Sequence, residues 1–281
     1  MTKKELLSLR KTACRLRMGV IESTHAAKAG HPGGSLSSAE FFTYLYFKEM
    51  NVDPSNPQDP DRDRFVLSKG HSAPGLYAAL ALRGFFPWDD LKTLRHIDSH
   101  LQGHPNMSFT PGVDMSTGSL GQGISAACGM ALAARVMGKS CRVYTLLGDD
   151  EIQEGQVWEA MMFAHHYKLD NLCVVIDNNG LQIDGAIEAV MNPYPIAEKL
   201  RAFGFDAAEI DGHDFEQIAA ALAHARQVKG APSAIVMKTT KGKGVSFMEN
   251  QAQWHGVAPN DAEYKTAMDE LSARLAGLEA E

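Results

Sequence analysis

Cysteine is scarce: four in 281 residues (Cys14, Cys128, Cys141, Cys173), with no CxxC pair among them. That excludes a disulfide framework and a paired-thiolate metal site. Three of the four lie in apolar runs, where reduced thiols pack as small hydrophobes, so a reducing, cytoplasmic setting is expected. An excess of positive charge is also missing. Lys and Arg number 27 against 34 Asp and Glu, a net charge of −7, so the chain as a whole lacks the electrostatic footprint of a nucleic-acid binder. No window approaches the roughly 18 uncharged apolar residues of a membrane span, which argues against membrane association. The basic N-terminus MTKKELLSLRKTACRLR continues as an amphipathic helix rather than into the apolar core of a signal peptide. Without repeats, low-complexity stretches or a long linker, residues 1–281 are expected to form a single domain.

The first third reads as helices broken by glycine-rich loops: about Lys4 to Ala29, Ser37 to Glu49 and Pro74 to Arg83, with the loop GHPGGS between the first two and a short strand RFVLS. From residue 120 helices and strands alternate: a helix Gly121 to Met137, rich in Ala and Gly and expected to be buried, strand CRVYTLL, helix Gly155 to Lys168 and strand NLCVVI. Two more units follow, a helix near Ile196 to Phe203 with strand DAAEI and a helix near Phe215 to Val228 with strand SAIVM. This alternation predicts an α/β fold, a parallel sheet with helices on both faces. The tail from about Asp261 reads as a solvent-facing helix.

Open parallel sheets bind ligands beyond the carboxyl ends of their strands. CRVYTLL opens there into GDDEIQEG and NLCVVI into DNNGLQIDG, which gathers Asp149, Asp150, Glu151, Glu154, Asp177, Asn178 and Asn179 at two strand ends. Hard oxygen donors without paired Cys or His favour magnesium or calcium, and magnesium is commonly completed by ligand phosphates. A joint metal and phosphate site is therefore expected, with Gly148 and Gly155 and a helix start turning backbone N–H groups toward the phosphate. Taken singly, GDD and NNG also read as ordinary turns. Four of the 11 histidines lie in glycine-containing loops: His31, His71, His104 and His255. One such histidine is commonly a solvated turn residue, but four together point to proton transfer or binding. His165 and His166, on a helix, are read as structural or surface groups. KTTKGKG at Lys238 to Gly244 has the look of a phosphate-contacting loop without P-loop order, and GSLGQG at Gly118 to Gly123 is a weak dinucleotide match.

In order along the chain, AKAGHPGGSLS, RDRFVLSKGH, GHP with TGSLGQG, GDDEIQEG with NNGLQIDG, and KTTKGKGVSFMENQAQWHG together resemble the N-terminal, diphosphate-binding half of a transketolase, a thiamine-diphosphate enzyme. The resemblance covers nearly the whole length. It implies that Asp149, Asn179 and the Leu181 carbonyl hold Mg2+, with Ca2+ or Mn2+ able to substitute. It further implies that His71 and His255 reach the diphosphate, that Gly118 and Leu120 touch the aminopyrimidine, and that Gly148, Asp150 and Ile183 lie along the cofactor. His31, His104 and His255 match groups that contact the donor sugar and act in acid–base steps, and Glu154 matches an acidic residue linked to the catalytic glutamate of a neighbouring pyrimidine-binding domain.

Two departures matter. The family usually reads Gly-Asp-Gly where this chain has Gly148, Asp149, Asp150, which puts a carboxylate where a backbone N–H normally approaches the diphosphate. Nothing in the sequence corresponds to the pyrimidine-binding and C-terminal domains of one-chain members. The resemblance therefore implies a subunit that works only with a second polypeptide carrying the pyrimidine-binding domain, in an α2β2 assembly. Its activity would be transfer of a two-carbon ketol unit from a ketose phosphate to an aldose phosphate. The alternatives are a split enzyme for an unusual sugar, a 1-deoxyxylulose-phosphate synthase-like reaction, or a non-catalytic cofactor-binding subunit. A 2-oxoacid dehydrogenase subunit fits the histidine loops less well, and a magnesium-dependent phosphatase would need a nucleophilic Asp at a strand end.

Overall fold

The computed structural model describes residues 1–281. Ten helices, α1 Lys3–Ala27, α2 Pro32–Ser37, α3 Ala39–Tyr44, α4 Ala73–Arg83, α5 Gln122–Val136, α6 Gly155–His166, α7 Ile187–Met191, α8 Ile196–Ala202, α9 Phe215–Gln227 and α10 Asp261–Ala280, surround seven strands. The strands are β1 Arg64–Leu67, β2 Val143–Gly148, β3 Leu172–Asn178, the short pair β4 Leu181–Gln182 and β5 Gly185–Ala186, β6 Asp206–Asp211 and β7 Ser233–Lys238. Five of them form one parallel sheet in the order β1-β2-β3-β7-β6, while β4 and β5 make a small antiparallel hairpin beyond the end of β3.

The apolar runs of β2, β3 and β7 are buried on both sides, as parallel strands between helical layers must be. Successive residues alternate between two cores: Tyr144, Leu146, Cys173, Val175, Ile235 and Met237 face the layer of α1, α3, α4 and α9, whereas Val143, Leu147, Val174, Ile176 and Val236 face that of α5, α6 and α8. All four cysteines are buried and unpaired. No helix is long and apolar enough to cross a membrane.

Three local expectations need correction. GHPGGS is not a loop: His31 occupies the N-cap position and Pro32 the first turn of α2, where its missing N–H costs nothing. The two positions are glycine because of what lies against them. A Cβ on Gly33 would stand 2.7 Å from the Trp254 carbonyl oxygen, and one on Gly34 2.9 Å from Ser72 Oγ. The tail helix α10, capped by an Asn260–Glu263 box, packs along α1 and buries Ala267 and Leu271, so it is part of the core rather than solvent-facing. Helix α5 buries only one side, with Gly129 and Val136 in solvent.

Register places the carboxyl ends of four neighbouring strands level. Leu67 pairs with Leu146, Gly148 with Asp177, and Asn178 with Lys238. Each strand therefore releases its loop on the same edge: Ser68-Lys69-Gly70-His71, Asp149-Asp150, Asn179-Gly180-Leu181 and Thr239-Thr240-Lys241.

Candidate active site at the carboxyl edge of the sheet

The four loop histidines converge on this edge. His31 lies 5.3 Å from His71, 5.6 Å from His255 and 6.4 Å from His104 between ring centroids, and His71 stacks on His255 at 4.9 Å. They come from four separate stretches of the chain, so only the tertiary fold gathers them. Burial, helped by the nearby positive charges of Arg95 and Lys241, holds His31 at about 4. The same combination, burial and then Lys241, holds His255 at about 3, and His71 and His104 are also lowered by burial first. The cluster is neutral at pH 7. A neutral imidazole keeps one donor and one acceptor nitrogen, as proton exchange with a substrate oxygen requires. His31 Nδ1 is buried without a protein partner. Gly118, at φ +148°, brings its backbone against the ring of His104, where a Cβ would meet the ring at 3.0 Å.

On the same edge, with Lys241 between it and His255, stands Asp149, fully buried just past β2. One oxygen accepts the Gly180 N–H at 2.6 Å, and the other, Oδ1, has no partner. Burial together with the charges of Asp177 and Asp150 raises its pKa to about 7. An orphaned carboxylate oxygen in so buried a position is costly unless a cation completes it. Asn179 lies on the adjacent turn, and the Leu181 carbonyl accepts from Lys241 Nζ at 2.8 Å, so a cation already stands at that oxygen. Asn179 Oδ1 accepts the Leu181 N–H at 3.2 Å, so Asp149 Oδ1 is the one free oxygen of the three, and a hard divalent ion that brings phosphate oxygens of its own would take the Leu181 carbonyl from Lys241.

The other acidic residues of these turns are committed elsewhere. Asp177 accepts from Lys69 Nζ at 2.6 Å, Ser37 Oγ at 2.7 Å, Asn179 Nδ2 at 3.0 Å and Thr239 Oγ1, and this network holds its carboxyl below the usual range against the effect of burial. Glu151 turns inward and accepts from Ser68 Oγ, the Gly121 N–H at 2.9 Å and the Gly148 N–H at 3.1 Å. Gly148 therefore offers close approach rather than a free N–H donor, which corrects the expectation of a phosphate-binding amide at that residue. Glu154 and Ile183 are exposed at the rim, and Leu120 is half-buried in its loop.

Asp150 does not need left-handed backbone. Its φ of −77° and ψ of −34° are ordinary, and its Oδ1 caps the Glu151 N–H at 2.9 Å. Burial raises its pKa, while the charges of Lys241 and Lys69 pull the other way, so its carboxylate lies within electrostatic reach of both ammonium groups. His165, on the outer surface, faces the Gly204 carbonyl and stands apart from the site. Residue-by-residue reading missed Lys69, Glu151 and Lys241 as organisers. Lys69 and Lys241 are buried, a rare state for an unpaired lysine, and only the partners that the fold supplies account for it.

Helix-flanked strand ends that carry a buried acidic turn, an ammonium group and a neutral histidine cluster place this chain among parallel α/β proteins whose polar crevice lies at the carboxyl edge of the sheet. Residues 9–274 match the family described as "Transketolase, thiamine diphosphate binding domain", and the chain belongs to that family. It is 45% identical to the 6-deoxy-6-sulfo-D-fructose transketolase subunit SqwG of Clostridium sp. (strain MSTE9), over 94% of this chain and 96% of that one. It is 41% identical to an apulose-4-phosphate transketolase subunit of Phocaeicola vulgatus, over 99% and 98% of the two chains. The transketolase structure from Campylobacter jejuni superposes with a TM-score of 0.89 at 32% identity and covers 99% of this chain, but this chain spans only 46% of that one. The fold is thus that of the thiamine-diphosphate-binding half of a transketolase, and the chain is a subunit of the transketolase kind.

Proposed function

We propose that residues 1–281 form one diphosphate-binding domain, the cofactor-holding half of a two-chain transketolase that transfers a two-carbon ketol unit from a ketose phosphate to an aldose phosphate. The observation that carries this reading is that one edge of the sheet holds four clustered neutral histidines and a buried Asp149 with an unpartnered carboxylate oxygen. Thiamine diphosphate, when bound, supplies the electron sink through which the bond beside a ketose carbonyl breaks and re-forms. Asp149 Oδ1, Asn179 and the Leu181 carbonyl would hold Mg2+, or Ca2+ or Mn2+ in its place. Lys241 would then offset phosphate charge. His71 and His255 would hydrogen-bond the diphosphate, and Gly118 and Leu120 would line the aminopyrimidine, with Gly148, Asp150 and Ile183 along the cofactor.

His31, His104 and His255 would exchange protons with the sugar oxygens, an effect worth roughly 10²- to 10⁴-fold where a general acid or base acts. Glu154, exposed at the rim, is suited to meet a second chain that brings the pyrimidine-binding domain, in a cytoplasmic α2β2 assembly. A donor outside the common sugar phosphates is a second reading. It is favoured by the two relatives of matching length, whose names specify a sulfosugar and apulose 4-phosphate.

The experiment is to isolate the tagged chain from its native cells, identify a stoichiometric companion by mass spectrometry, and assay the purified pair for ketol transfer with thiamine diphosphate and Mg2+. Transfer by the pair, and none by this chain alone, is expected. Turnover by the isolated chain would overturn the two-chain reading.

A further inference from the structure

The loop after β7 is tied down residue by residue. Thr239 N–H donates to the Asn178 carbonyl, Lys241 Nζ reaches Leu181 and His255, and the Gly242 N–H donates to the Gly33 carbonyl at 3.0 Å. Two further ties come from residues outside the histidine cluster. The Thr240 N–H donates to His213 Nε2 at 2.9 Å, and Arg17 Nε donates to the Lys243 carbonyl at 2.7 Å. Both ends converge on one carboxylate: Glu40 accepts from Arg17 Nη2 at 2.7 Å and stands 3.0 Å from His213 Nδ1. Because Nε2 accepts, the His213 proton sits on Nδ1 and points at Glu40.

Arg17 comes from α1, Glu40 from α3 and His213 from the turn before α9, and none of the three touches the histidine cluster. Arg17 and Glu40 are 2% and 6% exposed, so this is a buried ion pair. Buried pairs seldom add net stability over apolar packing of the same volume; what they add is a defined geometry. An apolar replacement could neither accept the Thr240 N–H nor donate to the Lys243 carbonyl. Burial pushes the Glu40 carboxyl up, but the Arg17 charge and the bonds from His213 and Arg17 outweigh it and hold Glu40 at about 2.

We propose that Arg17, Glu40 and His213 form a clamp of positioning residues that fixes the 239–244 loop from behind and so sets Lys241 against Leu181 and His255. The inference rests on the cofactor-binding reading for its functional consequence, but its structural content does not.

The test uses the full chain as parent, His213→Ala, His213→Gln and His213→Leu. Amide hydrogen exchange of residues 239–244 is read without ligand, and magnesium thiamine diphosphate is then titrated against the quenching of tryptophan fluorescence, since Trp254 adjoins His255. Glutamine can donate to Glu40 and accept from Thr240; alanine and leucine can do neither. His213→Ala and His213→Leu are expected to speed exchange in the loop and weaken cofactor binding, each roughly 3- to 10-fold, as the loss of one such bond implies. His213→Gln should restore both. Unchanged loop exchange in His213→Ala, or a glutamine variant no better than leucine, overturns the clamp. A parent that does not bind magnesium thiamine diphosphate overturns the cofactor reading instead, and the exchange data still decide the clamp.

Discussion

Glu151 lends itself to a quantitative test. It is fully buried, and its carboxylate joins three loops through Ser68, Gly121 and Gly148. Burial, reinforced by the charge of Asp150, raises its pKa from 4.5 to about 7 although its three hydrogen bonds pull the other way. The folded state therefore holds a proton between pH 4.5 and 7 that the unfolded chain has released, and stability contributed below 4.5 is lost as pH rises through 7. Between pH 5 and pH 8 this amounts to roughly 2–3 kcal/mol from the one group.

A protonated Glu151 can keep all its partners, since the acid O–H donates to Ser68 Oγ while both oxygens still accept. Glutamine cannot: its single carbonyl leaves one of the Gly121 and Gly148 N–H groups facing an NH2, a cost of about 1–3 kcal/mol. Urea unfolding of Glu151→Gln and parent, followed by circular dichroism at both pH values, should therefore show the variant weaker at pH 5. The deficit should shrink by roughly 2–3 kcal/mol at pH 8, because glutamine does not titrate. Groups common to both proteins cancel in the difference. An equal deficit at both pH values would refute the buried, proton-linked role of Glu151.

Asp149→Asn keeps an acceptor for Gly180 while removing a buried charge whose Oδ1 has no partner. At pH 8 the variant without ligand should melt no lower than the parent, and the added melting temperature conferred by magnesium thiamine diphosphate should fall away; full retention of that increment would remove Asp149 as a ligand. Asp150→Gly deletes a negative charge within reach of Lys69 and Lys241, so titration should show tighter magnesium thiamine diphosphate binding, and unchanged affinity would make Asp150 only a cap on the turn. With His31 at about 4 and His255 at about 3 in the folded chain, the unfolded chain takes up protons first as pH falls below 6.5. Stability is complete above pH 6.5 and is lost as pH drops toward 4, by on the order of 3 kcal/mol for each histidine. His255→Gln should flatten that slope in urea midpoints measured from pH 7 to 4, and a slope equal to the parent's would count against a depressed His255.

What the sequence by itself determined is what depends on local pattern. Alternating apolar runs and helical periodicity marked the parallel sheet, because a strand buried on both faces must be apolar throughout. The carboxyl edge is recognisable as the polar turn after each apolar run, which gathered Asp149 and Asn179 with five other oxygen donors, and the family resemblance singled out those two. The glycine-flanked histidines were visible one at a time. Only tertiary structure decided which groups are spent on the fold and which are left over. Asp177 and Glu151 look like further metal donors in sequence, yet Lys69 and three loop donors claim them. GHPGGS looks like a loop until Trp254 and Ser72, more than 35 residues away, are found against its glycines. The clamp of Arg17, Glu40 and His213 has no sequence signal at all, since its members are up to 196 residues apart and each is an ordinary polar residue until the chain closes around it. A hydrogen bond or a buried charge is a relation between distant atoms, and chain packing alone brings those atoms within reach.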